Sequence, residues 1–422
     1  MRDSQNDFPA EAGENKKMKK MKRLSSVLFA MILACSLGPV AAQPKYDPGA
    51  SDTEIRIGNI VPYSGPASVY SVYGKVFEGY FNRVNEHGGI GGRKIRLLSY
   101  DDAYSPPKTV EQARRLVEGD EVLFLFGGVG TPTNAAILKY MNVKKVPLLY
   151  AASGSSLFAD PEHYPWAIGF QPNYEAEGRM YASYILANQP SAKIAVLYQF
   201  DDFGKDLLKG LSDGLGDKAA TMVVGTSSYD VATPSIDSQI LQLKASGADV
   251  LMDFTTPKFA TQAIRKVAEI GWKPTHFVAS VASHVGSVLK PAGFENAVGV
   301  MSGRWVKDPN DPATQNDAGI VEWRQFMKAY YPGGDQTNAI NVIAYVLAQT
   351  LEHMLRNCGD DLSRENILKQ ATSLEGFESD LLISGVKIRP SPRDYLVVRD
   401  LQMGRFDGES YRQQGPLIEM KR

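Results

Sequence analysis

Cysteine is nearly absent: the chain of 422 residues has two, Cys35 and Cys358. Cys35 falls in the N-terminal leader, so the rest holds one thiol and no internal disulfide; a chain of this size needs none. Cys358 reads as a small structural residue near a helix end. The five histidines (His87, His163, His276, His284 and His353) are scattered, and no pair has metal-ligand spacing beside an acid. No excess of basic charge exists either: 46 Lys and Arg face 47 Asp and Glu, which argues against a nucleic-acid binder. Beyond the leader no stretch reaches roughly 18 uninterrupted apolar residues, so no membrane-spanning helix is expected. The chain has no G-x-S-x-G, no H-E-x-x-H, no low-complexity segment and no short-period repeat. Asp101 and Asp102 follow a strand, where neighbours face opposite ways, so they do not read as an acid–base dyad. Asp201 and Asp202 are expected to cap a helix. No catalytic constellation is present, and no cofactor or metal is implied.

The N-terminus departs from this even composition. A basic cluster, KKMKKMKR (16–23), precedes the apolar run LSSVLFAMILACSLG and then PVAAQ, whose small residues stand where a signal peptidase reads. This is the layout of a secretory signal peptide. Residues 1–42 are read as an upstream extension plus signal, and the mature chain as a soluble periplasmic protein beginning near Gln43. Ile32, Leu33 and Ala34 before Cys35 make a weak lipoprotein processing site, because Leu33 fits it poorly.

The mature chain is regular. EIRIGNIVP (54–62) leads into a segment where Val72, Val76, Phe77, Tyr80, Phe81 and Val84 recur at helical spacing. KIRLLSYDD (94–102) is followed by SPPKTVEQARRLVEGD (105–120), with Pro106 and Pro107 where a helix can start. EVLFLFGG (121–128), PTNAAILKYM (132–141) and VPLLYAA (146–152) continue the alternation. The order β-α-β-α-β-α-β predicts a parallel sheet covered by helices. After AIGFQP (167–172) the pattern starts again and runs to THFVAS (275–280), giving a second parallel α/β unit. Residues 313–374 read as mostly helical, and the tail from about 380 as short strands. Two similar lobes suggest a cleft between them, lined by loops at the carboxyl ends of the strands.

The glycine loop in EVLFLFGGVGTPTNAAILKYM lies at such an end. Thr131 reads as a helix N-cap and Pro132 as the first helical residue, while Gly127, Gly128 and Gly130 leave the backbone open to close approach. Free N–H groups there favour an anion. Phosphate fits poorly. Both Gly-Lys pairs, Gly74-Lys75 and Gly204-Lys205, lack the following Ser or Thr of a P-loop, and Thr133 stands where a dinucleotide fingerprint needs its third glycine. A carboxylate held by amides and hydroxyls fits better, although the same glycines would serve an ordinary tight turn. The next strand ends in AASGSS, so Ser153, Ser155 and Ser156 beside Gly154 could complete one polar pocket.

VNEHGGIGGRKIRLLSYDDAYSPPKTVEQARRLV (84–117) resembles the first lobe of the leucine/isoleucine/valine-type periplasmic substrate-binding proteins that serve ABC importers. VPYSGPASVYSVYG, GGVGTPTNAA and AASGSS resemble the family's three first-lobe ligand loops, and YQFDDFGKDLLKGL the opening of its second lobe. The resemblance implies a type I periplasmic binding protein: two Rossmann-like α/β lobes with parallel sheets, joined by a three-crossing hinge around a ligand cleft. We divide the chain into lobe one, 53–170 plus 303–385, and lobe two, 171–302 plus 386–422. Carried over by position, Gly130, Thr131, Ser153, Gly154 and Ser155 hold the ligand's carboxylate and Tyr73 covers it. Phe200, Thr255 and Val281 are the second-lobe contacts. The family's first-lobe disulfide is missing.

Members that bind α-amino acids place a carboxylate in the loop after THFVAS to pair with the ammonium, where this chain has Val281. Burying an unpaired ammonium costs several kcal/mol, which would remove most micromolar affinity. The reading therefore expects a small carboxylate without an α-ammonium, aromatic or related. Tyr70, Tyr73, Tyr150, Phe200 and Phe254 are candidate cleft aromatics, with core packing the other reading for Tyr150 and Phe254. A branched-chain or other amino acid is the alternative ligand, and an exported α/β hydrolase the alternative of another class. The expected partners are the small ligand and ABC permease subunits in the inner membrane; the expected state is a monomer.

Overall fold

The computed structural model describes residues 45–420, so the signal peptide, Cys35 and the processing site lie outside the described residues. The first sheet is built from β1 (Glu54–Val61), β2 (Lys94–Asp101), β3 (Phe124–Phe126), β4 (Leu148–Ala151) and β5 (Ala167–Gly169), all parallel, in the order β2-β1-β3-β4-β5. Its central strands read as unbroken apolar runs because helices cover both faces. Phe124, Leu125 and Phe126 are all buried. Helix α1 (Val72–Glu86) turns the apolar stripe seen in the sequence against this sheet, with Phe77 and Phe126 centroids 4.6 Å apart. Helices α2 (Pro106–Arg114) and α3 (Thr131–Lys144) complete the crossovers.

The second sheet begins with helix α4 (Tyr174–Asn188), then β6 (Ile194–Gln199), α5 (Asp202–Leu215), β7 (Val223–Tyr229), α6 (Asp237–Ala245), β8 (Val250–Phe254), α7 (Pro257–Glu269), β9 (Thr275–Val278) and β10 (Met301–Arg304). The chain returns through α8 (Ala318–Tyr330), α9 (Ala339–Cys358) and α10 (Arg364–Ala371), and ends in β11 (Asp400–Phe406) and β12 (Tyr411–Glu419). Sheet order is β12-β11-β10-β9-β8-β6-β7, with the last two strands added antiparallel. One boundary moves. Gly303 and Arg304, expected in lobe one, pair with Met403 and Gln402 in the second sheet, because the ladder with β11 runs to the end of β10.

The return helices belong to the first sheet. Tyr345 of α9 packs edge-on against Tyr80 of α1 at 5.1 Å and accepts a hydrogen bond from Arg83 at 2.8 Å. Three connections therefore join the lobes: after β5, after β10 and before β11. An antiparallel bridge, Val306↔Leu382, ties the second to the third. Among the described residues no helix is long and apolar enough to cross a membrane.

The five parallel strands of each sheet have the same order, with a reversal beside β1 in one and beside β6 in the other. Ligands bind such sheets outside the carboxyl ends of the strands at that reversal. The loops there face one another across the cleft.

Candidate ligand-binding cleft

A cavity of about 30 Å³ lies between these loops. This is room for water, and an organic ligand would enter only as the lobes separate or the rings lining the cleft turn aside. Its first-lobe wall is Tyr70, Tyr73, Tyr104, Val129, Gly130, Thr131 and Ala152, with Ile343 reaching in from α9. Gln171 enters from the first connection, Tyr174 from the start of α4, and Phe203, Thr256, Val281 and His284 from the rest of the second lobe.

The polar floor sits at the start of α3. The N-cap is Gly130 rather than Thr131, and its φ of 104° explains why: the chain turns through a conformation that only glycine adopts readily. A Cβ there would also meet the Tyr104 ring at 2.4 Å. Thr131 is thus the first helical residue, and its hydroxyl is 2.7 Å from that of Ser153. The two loops do converge as their hydroxyls suggested, and the first-turn amides of α3 have no acceptor within the helix. Tyr174 closes over this pair. Burial raises its phenol above the ordinary range, an effect reduced by hydrogen bonding with the Gly154 backbone and the Thr131 and Ser153 hydroxyls.

Other expected contacts are placed differently. Ser155 is turned away, donating from its hydroxyl to Asp206 of α5 at 2.8 Å. Gly154 is pressed against the first connection, where a Cβ would stand 1.9 Å from the Pro172 carbonyl oxygen. Phe200 is 59% exposed, under the Lys205 ammonium at 4.4 Å, and the ring that lines the cavity is Phe203. Thr255 is fully buried with its hydroxyl unpartnered, while Thr256 takes the wall position. Adjacent residues at a strand end face opposite ways, so a shift of one changes the side presented. Tyr150 and Phe254 are core residues with no exposure.

Tyr73 and Val281 do line the cavity. Tyr73 accepts a hydrogen bond from Gln171 Nε2 at 3.2 Å. The Val281 loop is anchored from behind by Glu177 of α4, whose carboxylate accepts from the Ser280 amide and hydroxyl, each at 2.7 Å, and from Tyr181 at 2.6 Å. Tyr104 is held in a strained backbone conformation, φ 59° after Ala103 at 52°. Asp102 supports it by accepting the Tyr104 amide and the Thr109 hydroxyl, both at 2.8 Å.

No aspartate or glutamate lines the cavity. Asp201 caps α5 as expected, accepting from the Phe203 and Gly204 amides at 3.0 and 3.3 Å. Among the described residues no group of acids, histidines and cysteines could hold a metal ion. The histidine that matters is His284, whose cavity position no motif or spacing announced. Burial and then the positive charge of Arg304 push its imidazole down to about 3, with a hydrogen bond to the Val281 backbone acting the other way.

Two α/β lobes hinged by three connections and closed over a polar-floored cavity define a two-lobed binding protein. The family model for periplasmic binding proteins matches residues 54–410, and the chain belongs to that family. The Leu/Ile/Val-binding protein homolog 7 of Brucella abortus (strain 2308) is 26% identical over 272 residues, 63% of this chain and 66% of that one, so the match spans just under two thirds of the relative. A branched-chain amino acid ABC transporter structure from Thermus thermophilus, with bound valine, superimposes with a TM-score of 0.76 at 16% identity, covering 88% of this chain and 97% of the other. A fatty acid ABC transporter substrate-binding protein from Thermomonospora curvata gives 0.71 at 17% identity, covering 90% and 95%. At those identities the two structures speak for the fold alone.

Proposed function

We propose that this protein is the extracytoplasmic solute-binding component of an ABC importer, which closes its lobes on a small carboxylate and presents it to a membrane permease. The observation that carries this reading is the floor of the cleft. The Thr131 and Ser153 hydroxyls meet at the N-terminus of α3, where the helix dipole favours an anion, and the lining around them is rich in aromatic rings with no acid to neutralise an ammonium. Closure requires contacts to both lobes, which the cavity lining supplies. Family members are solute-binding proteins, and nothing in the cleft resembles a nucleophile with its base.

The names of the relatives favour a second reading, a branched-chain amino acid. It requires an ammonium partner, and Asp201, one turn from the wall, would have to leave its capping amides to supply it. Thermal unfolding of refolded, ligand-stripped protein separates the two. At about 100 times its dissociation constant a ligand adds about 2.7 kcal/mol, a shift of a few degrees. A shift with benzoate- or cinnamate-type or aliphatic acids, lost about tenfold in affinity in a Thr131→Ala, Ser153→Ala protein, supports the carboxylate reading. A shift with leucine or valine alone replaces it by the amino-acid reading.

A further inference from the structure

The second-lobe wall carries a group that the carboxylate floor does not use. His284 is 6% exposed and faces the cavity from the turn that follows the Val281 loop. The Val281 backbone carbonyl acts on the ring as a hydrogen-bond acceptor, and it is the one neighbour that favours the protonated form. A neutral imidazole has one N–H and one acceptor nitrogen, so donation to that carbonyl leaves the other nitrogen as an acceptor. No protein group among the described residues hydrogen-bonds it. The positive charge that acts on the ring is that of Arg304, itself 8% exposed, paired with Asp308 at 3.2 Å and stacked with its guanidinium 4.3 Å from the Tyr411 ring centre. Held on both sides, this fixed positive charge favours the neutral ring and opposes a cation placed beside it.

We infer that His284 is a specificity-determining residue whose free ring nitrogen accepts a hydrogen bond from an uncharged hydroxyl or amide N–H of the ligand. The substrate class is then an organic acid bearing a second, neutral donor, with its carboxylate on the Thr131–Ser153 floor and its donor at the second-lobe wall. This rests on the carboxylate reading and narrows it. Leaving a buried acceptor unpaired is what penalises the analogue that lacks the donor.

The test uses matched acids with and without one hydroxyl: 4-hydroxybenzoate with benzoate, 4-hydroxyphenylacetate with phenylacetate, and 4-hydroxybutyrate with butyrate. Affinities are measured by calorimetry on ligand-stripped wild type, His284→Leu and His284→Gln. Wild type should prefer the hydroxylated member of at least one pair by about tenfold or more. His284→Leu should reduce that ratio to near one, and His284→Gln, whose amide oxygen can accept, should restore part of it. Equal binding within every pair by wild type overturns the inference and leaves the carboxylate reading standing, with no need of a variant. An unchanged ratio in His284→Leu also overturns it. If no acid binds, both readings fall.

Discussion

Tyr70 of the first lobe donates a hydrogen bond to the backbone carbonyl of Val281 in the second, 3.2 Å across the mouth of the cavity. Burial raises the Tyr70 phenol far above its ordinary range, so it stays a donor throughout the physiological pH range. The bond exists only while the lobes are together. Tyr70→Phe should therefore weaken ligand affinity by about three- to tenfold, mainly through faster release. Stopped-flow dissociation of a bound acid would show it, and the unfolding temperature of ligand-free protein should move little.

Asp102 holds up a strained turn. Replacing it by alanine leaves the Tyr104 amide without its acceptor, whereas the Thr109 hydroxyl keeps the Ser105 carbonyl at 3.0 Å. Urea unfolding of Asp102→Ala should show a loss of about 1–3 kcal/mol, together with weaker ligand binding as Tyr104 relaxes out of the cavity wall. Asp102→Asn, which keeps the accepting oxygen, should lose less on both counts.

Gly154→Ala is expected to damage the site from outside it. The new methyl would press on the Pro172 carbonyl, which belongs to the first connection between lobes. Relief requires the Ser153 loop to move, at about 1–3 kcal/mol. Calorimetric affinity and melting temperature should both fall, and a variant that kept both would show that the loop has slack.

His284 makes stability depend on pH in a definite sense. Its folded value is about 3, whereas in the unfolded chain it titrates near its ordinary value of about 6.5. As pH falls through that window the unfolded state takes up a proton that the folded state refuses, so stability drops. The buried carboxyls of Asp102 and Glu177 are raised by burial and act in the opposite direction. The comparison that isolates the histidine is wild type against His284→Leu in urea at neutral and at mildly acid pH. Wild type should lose stability relative to the variant on acidification.

Cys358 should be inert in the native protein. It is 5% exposed, and burial pushes its thiol up to about 12. Iodoacetamide at mildly alkaline pH should label it in urea and leave it unmodified in the folded state.

The fold was legible because each signal that predicts it is local. Alternating and continuous apolar runs mark the strands of both sheets, Pro106 and Asp201 mark helix starts, and the order of elements implies parallel pairing. The site was legible where backbone shape carries it, at the glycine turn and the AASGSS loop. It was not where a side chain's direction decides. Phe200 and Phe203 are both aromatic residues beside the start of α5, yet one is mostly exposed beneath Lys205 while the other packs against Tyr174 at 5.0 Å. Thr255 and Thr256 differ only in the face they present. Ser155 was drawn off by Asp206, 51 residues further on. His284 and Tyr174 had no spacing to betray them: an irregular turn brings in the first, and the helix start just after a lobe connection the second.

Helix α9 has a further meaning for how the protein is made. It supplies Tyr345 to the packing under α1 and Ile343 to the cleft, but it is synthesised only after the first five strands of the second sheet. The second sheet in turn waits for β11 and β12 at the far end of the chain. Neither half can be finished before the other has been started. The last quarter of the chain closes both cores, so folding of the two lobes is coupled through long-range contacts, and a chain that stops short of that quarter has no finished lobe to release.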